Sequence, residues 1–171
     1  MAADSDLAEA VKVLARAHQS MIWTRQHQTN QLRSALREFC PAALQACDDL
    51  ASGDALAVLA VASTPAAARQ LSRAKIASAL RRAGRQRRID QRAAEIHSVL
   101  RARHLEAPEV IANSIGAAVN ALVAVIAELN TQIAGLETQL ELVDASSLAA
   151  RGGARGVLAM VRSRMFGAGN V

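Results

Sequence analysis

Aromatic residues are nearly absent from this sequence of 171 residues. Only Trp23, Phe39 and Phe166 are aromatic, yet 51% of the chain is apolar, so the apolar share is mostly Ala, Leu, Val and Ile. Ala and Leu are strong helix formers, and there are only three prolines and, before residue 150, few glycines to interrupt a helix. The composition therefore predicts an all-α protein with Ala-rich packing and argues against a sheet.

Cysteines and leader-like segments are also scarce. Cys40 and Cys47 have the spacing of neither a metal pair nor a redox pair, so we expect two free, partly buried thiols. The first residues lack the basic region and apolar core of a signal peptide. No uninterrupted run reaches the roughly 18 apolar residues of a membrane span. We therefore expect a cytoplasmic location and no membrane partner.

No catalytic constellation is evident. The histidines lack a carboxylate or cysteine at metal-ligand spacing; they are His18, His27, His97 and His104. No serine sits on a strand-to-helix elbow, and no glycine-rich phosphate loop is present. The sequence thus predicts no catalytic residue, no metal and no cofactor, as in a helical binding or assembly module.

The stretch from Ile115 to Val143 carries an apolar seam in alternating steps of four and three. The seam residues are Ile115, Val119, Leu122, Ile126, Leu129, Ile133, Leu136, Leu140 and Val143. Mostly β-branched residues at one seam position and mostly Leu at the other favour a parallel two-stranded pairing. Val123 and Val125 widen the seam, as expected of a helix with several neighbours. Periodicity leaves two partners open: another helix of this chain, in a hairpin, or a second chain.

Helix signals precede the seam. Asp6 with Glu9 resembles a capping box and opens a long helix from about Leu7 to Phe39. Its polar middle, Thr24 to Gln31, must face solvent, nucleic acid or a polar partner, and a solvated face is favoured. Shorter helices are predicted at 42–49, at 55–62, after Thr64-Pro65, between Ser72 and Gly84, and from Ile89 to before Pro108.

The predicted organisation is a long helical hairpin or coiled coil with short helices between its arms. It comprises one helical region, 6–145, with a basic short-helix insert at 42–107. The segment 146–171 is predicted to be a flexible, Gly- and Arg-rich tail.

Positive charge is concentrated in one stretch. The formal net charge is +5, but from Arg69 to Arg103 eleven basic residues face only Asp90 and Glu95, a local balance of +9. The rest of the chain sums to −4. Such a block indicates a polyanionic partner.

Two modes of nucleic-acid contact fit this block. The segment 66–84 has the pattern of a helix-turn-helix, whereas clustered arginines at 81–88 favour phosphate contact without sequence preference. A solvated basic loop remains the alternative. The candidate residues are Arg73, Lys75, Arg81, Arg82, Arg85, Arg87 and Arg88. No aromatic side chain lies there to stack on bases, so base recognition is not expected.

Extended runs of the sequence resemble a known family. The runs are LAEAVKVLARAHQ (7–19), WTRQ (23–26), LRSALREF (32–39), LSRAKI (71–76), LRRAGR (80–85), and ELN with QI (128–133). They are similar to bacterial insertion-sequence transposases that have an N-terminal RuvC-like DEDD domain and a C-terminal serine domain. The resemblance covers roughly Asp6 to Leu142.

The resemblance implies the internal part of such an enzyme. In that family a helical coiled-coil region joins the catalytic domains and takes part in assembly and in binding DNA and a guide RNA. The family's acidic tetrad lies upstream of the Leu7 region, and its serine lies beyond the seam, where this sequence no longer matches. No catalytic residue is therefore carried over, and Asp4 and Asp6 are better explained as helix caps.

Three functional hypotheses follow. The first is a truncated or frame-disrupted transposase that is inactive alone. The second is an independent helical module that binds nucleic acid, and the third is a purely structural assembly that oligomerises through the seam.

Overall fold

The computed structural model describes the backbone of residues 2–101 and 108–150 and the side chains of residues 6–101 and 108–146. Within those ranges the chain forms helices and no strand, which confirms the all-α prediction. The helices are α1 (Ala2–Phe39), α2 (Pro41–Ala46), α3 (Gly53–Val61), α4 (Pro65–Gln70), α5 (Arg73–Arg82), α6 (Ile89–Leu100) and α7 (Glu109–Ala150). The predicted flexible tail falls mostly on residues outside this description.

Short polar side chains start three of the short helices, as the sequence predicts. The hydroxyl oxygens of Ser52, Thr64 and Ser72 each accept a hydrogen bond from the backbone N–H three residues later, at 3.2–3.3 Å. Proline occupies the first turn of α2 and α4, where its missing N–H costs nothing. These local signals divide the chain between the two long helices into short segments.

The helix boundaries differ from the predicted ones by a few residues. α1 begins at Ala2 instead of Leu7, and α7 continues to Ala150 instead of ending near 145. α2 ends at Ala46, three residues early, because the extended backbone of Cys47 stops it. Both cysteines are free, as expected, and they are buried where the sequence predicted only partial burial.

The chain divides into two compact units. One contains α1 up to Gln19 together with α7 from Ala134, and the other is Ser20–Ile133. In the second unit α6 packs on α2, α4 and α5, and α5 packs on α3. Its largest fully buried side chains are Leu32, Leu36, Leu50, Val58, Leu59, Ile76, Leu80, Ile96, Val119 and Ile126. One apolar core thus gathers α1, the short helices and α7 within this unit.

Within Ser20–Ile133 the seam packs inside the chain. Val119 and Ile126 are buried in the same core as Leu32 and Leu36. Leu36 also lines a cleft with Val119, so the later turns of α1 lie beside the earlier turns of α7. Arg25, earlier in α1, contacts Asn130, later in α7, so the pairing is an antiparallel hairpin. The parallel pairing favoured by the seam pattern is not the one formed within the chain. The short helices α2 to α6 connect the end of α1 to the start of α7, and within this unit α7 runs antiparallel to α1.

A polar network also joins α1 to α7 in this unit. Arg25 Nη1 donates to Asn130 Oδ1 at 3.1 Å, and Asn130 Nδ2 donates to the Ala51 carbonyl at 2.8 Å. The buried Thr29 hydroxyl donates to the Arg25 carbonyl at 2.8 Å. The polar middle of α1 is thus only partly solvated, because Arg25 and Thr29 point inward to polar partners.

The other unit has its own link between the long helices. His18 Nε2 lies 3.2 Å from Glu137 Oε1, with the imidazole buried and the carboxylate half-exposed. The two residues are 119 positions apart. No spacing rule in the sequence connects residues so distant, and the pair was not predicted.

By length and composition α7 qualifies as a candidate membrane span. Its best 18-residue window, within Glu109–Ser146, has a mean hydropathy of 2.0, and 22% of that window is buried. The sequence-based expectation of no membrane span considered only uninterrupted apolar runs. A window with a high mean hydropathy can also contain a few polar residues. Core helices of soluble proteins pass the same test, but such helices are mostly buried.

Candidate nucleic-acid interface

The predicted basic residues fall on one helix and on the connection that follows it. Arg73, Lys75, Arg81 and Arg82 belong to α5, while residues 85, 87 and 88 belong to the α5–α6 connection. All are exposed except Arg85, which is half-buried. The structure therefore brings the C-terminal end of α5 and the connection together as a continuous basic segment.

α5 has two chemically distinct faces. Ile76 and Leu80 are fully buried in the core, whereas Lys75 and Arg82 are exposed. Lys75 and Arg82 are seven residues apart, which places them two turns, about 10 Å, apart on one stripe. The buried face anchors the helix in the core, and the exposed stripe presents its charge to solvent.

The connection between α5 and α6 has a constrained backbone. Gly84 has φ +90°, which ends α5 as its position in the sequence predicts, and Arg88 has φ +51°. A left-handed conformation is favourable for glycine but costs an arginine about 1–2 kcal/mol. Arg88 also precedes α6 without a side-chain cap hydrogen bond. The backbone N–H groups of Gly84 and Arg85 donate to the carbonyls of Arg81 and Leu80, each at 3.0 Å, which ties the start of the connection to the end of α5.

Arg85 is tied to another helix. Its Nη1 forms an ion pair with Oδ2 of Asp54, in the first turn of α3, and its Nε donates to the Arg87 carbonyl at 3.1 Å. Both side chains of the pair are about one-third exposed or less. Arg85 was predicted to contact nucleic acid, but its guanidinium already has a carboxylate and a carbonyl as partners.

Arg92, on α6, has a similar set of partners. Its guanidinium donates to the Ala46 carbonyl at 2.9 Å and to Glu95 at 3.2 Å, and it lies 4.0 Å from Asp48. The Arg92 side chain is 26% exposed. It joins α6 to the end of α2, and the sequence did not predict it as a site residue.

These two arginines line a cleft of about 420 Å³ with Arg88 and four carboxylates. The carboxylates belong to Asp48, Asp49, Asp54 and Glu95. Burial raises the pKa of the Cys47 thiol, also in this cleft, from 9.0 to about 11, although the Arg92 charge opposes the shift. Because acids outnumber bases, the cleft itself does not suit a polyanion.

The other six predicted site residues have no carboxylate partner within the described parts of the chain, or only a weak one. Arg81 lies 3.5 Å from Asp90 in a pair so exposed that it contributes little. The unpartnered ones are Arg73, Lys75, Arg82, Arg87 and Arg88. Of the seven predicted site residues, these five are available to an external anion.

The helix-turn-helix pattern appears as two helices joined by Leu71 and Ser72. α4 has only six residues, and α5 packs against α3 and α6. Among residues 6–101 and 108–146, no group of three or more potential metal-ligating side chains comes together. What the described geometry presents is a basic surface on a packed helical support.

The insertion-sequence transposases are the class of protein to which this chain is related. Over 118 residues it is 38% identical to the protein named "Mini-circle putative transposase for IS117" from Streptomyces coelicolor. The matched segment is 67% of this chain but only 28% of the relative, so the chain spans between a quarter and a third of that protein. No family model matches the sequence, and no solved structure matches it.

Proposed function

We propose that this chain is the helical, nucleic-acid-binding segment of a DNA transposase and that it acts in DNA transposition and recombination. The observation that carries the proposal is the set of exposed basic side chains without carboxylate partners around the α5–α6 connection. In this role Lys75, Arg82, Arg87 and Arg88 neutralise phosphates of DNA or of a guide RNA in the cytoplasm.

The chemistry of these side chains favours backbone contact over base recognition. Guanidinium groups pair with phosphate oxygens and release bound counterions, which makes binding strongly dependent on salt. No aromatic residue occurs between positions 69 and 103, so base stacking has no platform there. The expected binding tolerates changes in sequence but weakens steeply as salt is added.

We also infer that the chain by itself does not cut or join strands. By the resemblance, the family's acidic tetrad lies upstream of the part that is similar to residues 6–142, and its serine lies beyond that part. Strand transfer or cleavage by the purified chain with a divalent metal ion would contradict this inference.

The test measures the affinity for labelled duplex DNA and for structured RNA over a series of salt concentrations. The full chain is compared with two variants that have the same net charge as each other. One is Arg82→Gln/Arg87→Gln/Arg88→Gln, and the control is Lys12→Gln/Arg16→Gln/Arg37→Gln, whose arginines and lysine are exposed on α1. We expect the first variant to lower the slope of log affinity against log salt by about 2.7, since each phosphate contact contributes roughly 0.9. Equal losses of affinity in both variants would mean that binding depends on the net charge of the protein and not on this surface.

Assembly through α7 is the second candidate function. Val110, Ile111 and Val125 on this helix are 78%, 47% and 45% exposed, so α7 keeps apolar side chains outside the core. The mass of the protein in solution, recorded over a concentration range, tests it: a larger species that replaces the monomer supports a homo-oligomer or partner-helix role. A well-folded monomer that binds neither DNA nor RNA would reject both candidates.

A further inference from the structure

The ion pair between Arg85 and Asp54 fastens the α5–α6 connection to α3. Asp54 is the second residue of α3, after the Ser52 cap, and it reaches Arg85 across 31 positions of sequence. The same guanidinium donates to the carbonyl of Arg87, two residues further on. The Arg85 side chain is therefore bonded both to α3 and to the backbone of the connection.

This double contact lies where the backbone most needs it. The connection enters through Gly84 at φ +90° and leaves through Arg88 at φ +51°. A non-glycine residue in that region persists only when its surroundings hold it there. Arg85 lies between the two positions, and its bond to the Arg87 carbonyl fixes the residue next to Arg88. Arg87 and Arg88 themselves stay exposed.

We propose that Asp54 and Arg85 are positioning residues, which hold the connection so that Arg87 and Arg88 meet neighbouring phosphates of a polyanion together. In this arrangement neither Asp54 nor Arg85 contacts the phosphates. The proposal rests on the proposed function, because it assigns the groups that arrange the same basic surface.

The proposal predicts a sign opposite to that of simple electrostatics. Removing a carboxylate near a basic surface lowers the repulsion of phosphate and should raise affinity. If Asp54 instead positions the connection, its removal should lower affinity. Arg87 and Arg88 would then no longer be held in the binding geometry before the polyanion arrives. The direction of the change therefore separates the two roles.

The experiment compares binding of labelled duplex DNA by the full chain and by Asp54→Ala, Arg85→Lys and Glu95→Gln, each over a salt series. Glu95 is the matched control, since it lines the same cleft and pairs with Arg92 at 3.2 Å but does not touch the connection. Arg85→Lys keeps the charge but cannot hold two acceptors in the guanidinium's planar fork. Asp54→Glu is the conservative variant that should restore binding.

We expect Asp54→Ala and Arg85→Lys each to weaken binding roughly three- to tenfold and to lower the salt slope by up to about 1.8, the value for two lost contacts. Glu95→Gln should keep the wild-type slope, with equal or tighter binding. The helical circular dichroism of each variant must match that of the wild type. If Asp54→Ala does not fold, Arg85→Lys supplies the test.

Tighter binding by Asp54→Ala, or an unchanged slope in Arg85→Lys, would overturn the positioning role. Such a result would leave the proposed function standing if Arg82→Gln/Arg87→Gln/Arg88→Gln still lost binding. If that triple variant bound like the wild type, the basic surface itself would be excluded as the site.

Discussion

Arginines only a few positions apart in this chain have different surroundings. Arg85 and Arg92 are half-buried, and each has a carboxylate and a backbone carbonyl as partners. Arg82, Arg87 and Arg88 are exposed and have no carboxylate partner among the described residues. The first group joins helices to one another, while the second group is available to an external anion.

The difference shows that the position of an arginine in a charge run does not define its role. A half-buried guanidinium already bonded to acceptors has fewer free N–H groups and less access to a phosphate than an exposed one, which gives up only water. Mutations in the two groups should therefore affect different quantities, stability in one and nucleic-acid binding in the other.

The largest expected effect on stability is at Arg92. Arg92→Ala removes the bond to the Ala46 carbonyl and the pair with Glu95, and we expect a loss of about 2–3 kcal/mol in the free energy of unfolding. Urea denaturation measures it. The exposed Arg82→Ala is the control and should change stability by less than about 0.5 kcal/mol. Equal losses of stability in the two variants would contradict the division into half-buried arginines that stabilise the fold and exposed arginines that do not.

A second effect tests whether the cleft beside Arg92 is shielded from water. Burial holds the pKa of Cys47 near 11 in the folded protein, above the ordinary 9.0, so the thiol's contribution to stability is complete below pH 9. It is lost as the pH rises through 11, where about 2 kcal/mol should be gone. Unfolding measured from pH 8 to 11, compared with Cys47→Ala, gives the difference. Parallel pH profiles for the two proteins would mean that the thiol is hydrated.

The smallest effect concerns the backbone of the exposed group. Arg88→Gly relieves the left-handed conformation and should raise stability by about 0.5 kcal/mol after the extra chain entropy of glycine is subtracted. Arg87→Gly, where φ is not positive, should lower stability by a similar amount. Both variants should lower the salt slope of DNA binding by about 0.9, as expected for one lost phosphate contact. Thermal unfolding and binding titrations of the pair measure the two quantities, and stability changes of the same sign would contradict the backbone argument.

Much of the fold is predictable from the sequence because its signals are local. The caps at Ser52, Thr64 and Ser72 and the stop at Gly84 depend on residues within one turn of the helix end. The apolar repeat of α7 likewise needs only the period of one helix to be recognised. These features give the number, type and approximate limits of the helices, and the similarity to a transposase confirms the family relationship.

The unpredicted parts of the fold and site depend on contacts between distant residues. Asp54 looks like an ordinary first-turn acid of α3 until the structure brings Arg85 to it. His18 and Glu137 are likewise unremarkable as isolated residues, and Arg25 and Thr29 look solvent-exposed in a polar stretch. In each case the partner is set by tertiary packing, which neither propensity nor spacing encodes.

Asn130 has a consequence for how the hairpin is aligned within Ser20–Ile133. An apolar seam that repeats every seven residues stays matched if one helix slides by a heptad, about 10 Å along its axis. Such a slide would leave Asn130 without both Arg25 and the Ala51 carbonyl. The apolar contacts between α1 and α7 do not by themselves fix the alignment, but a single amide makes one alignment preferable to the alignments shifted by a heptad.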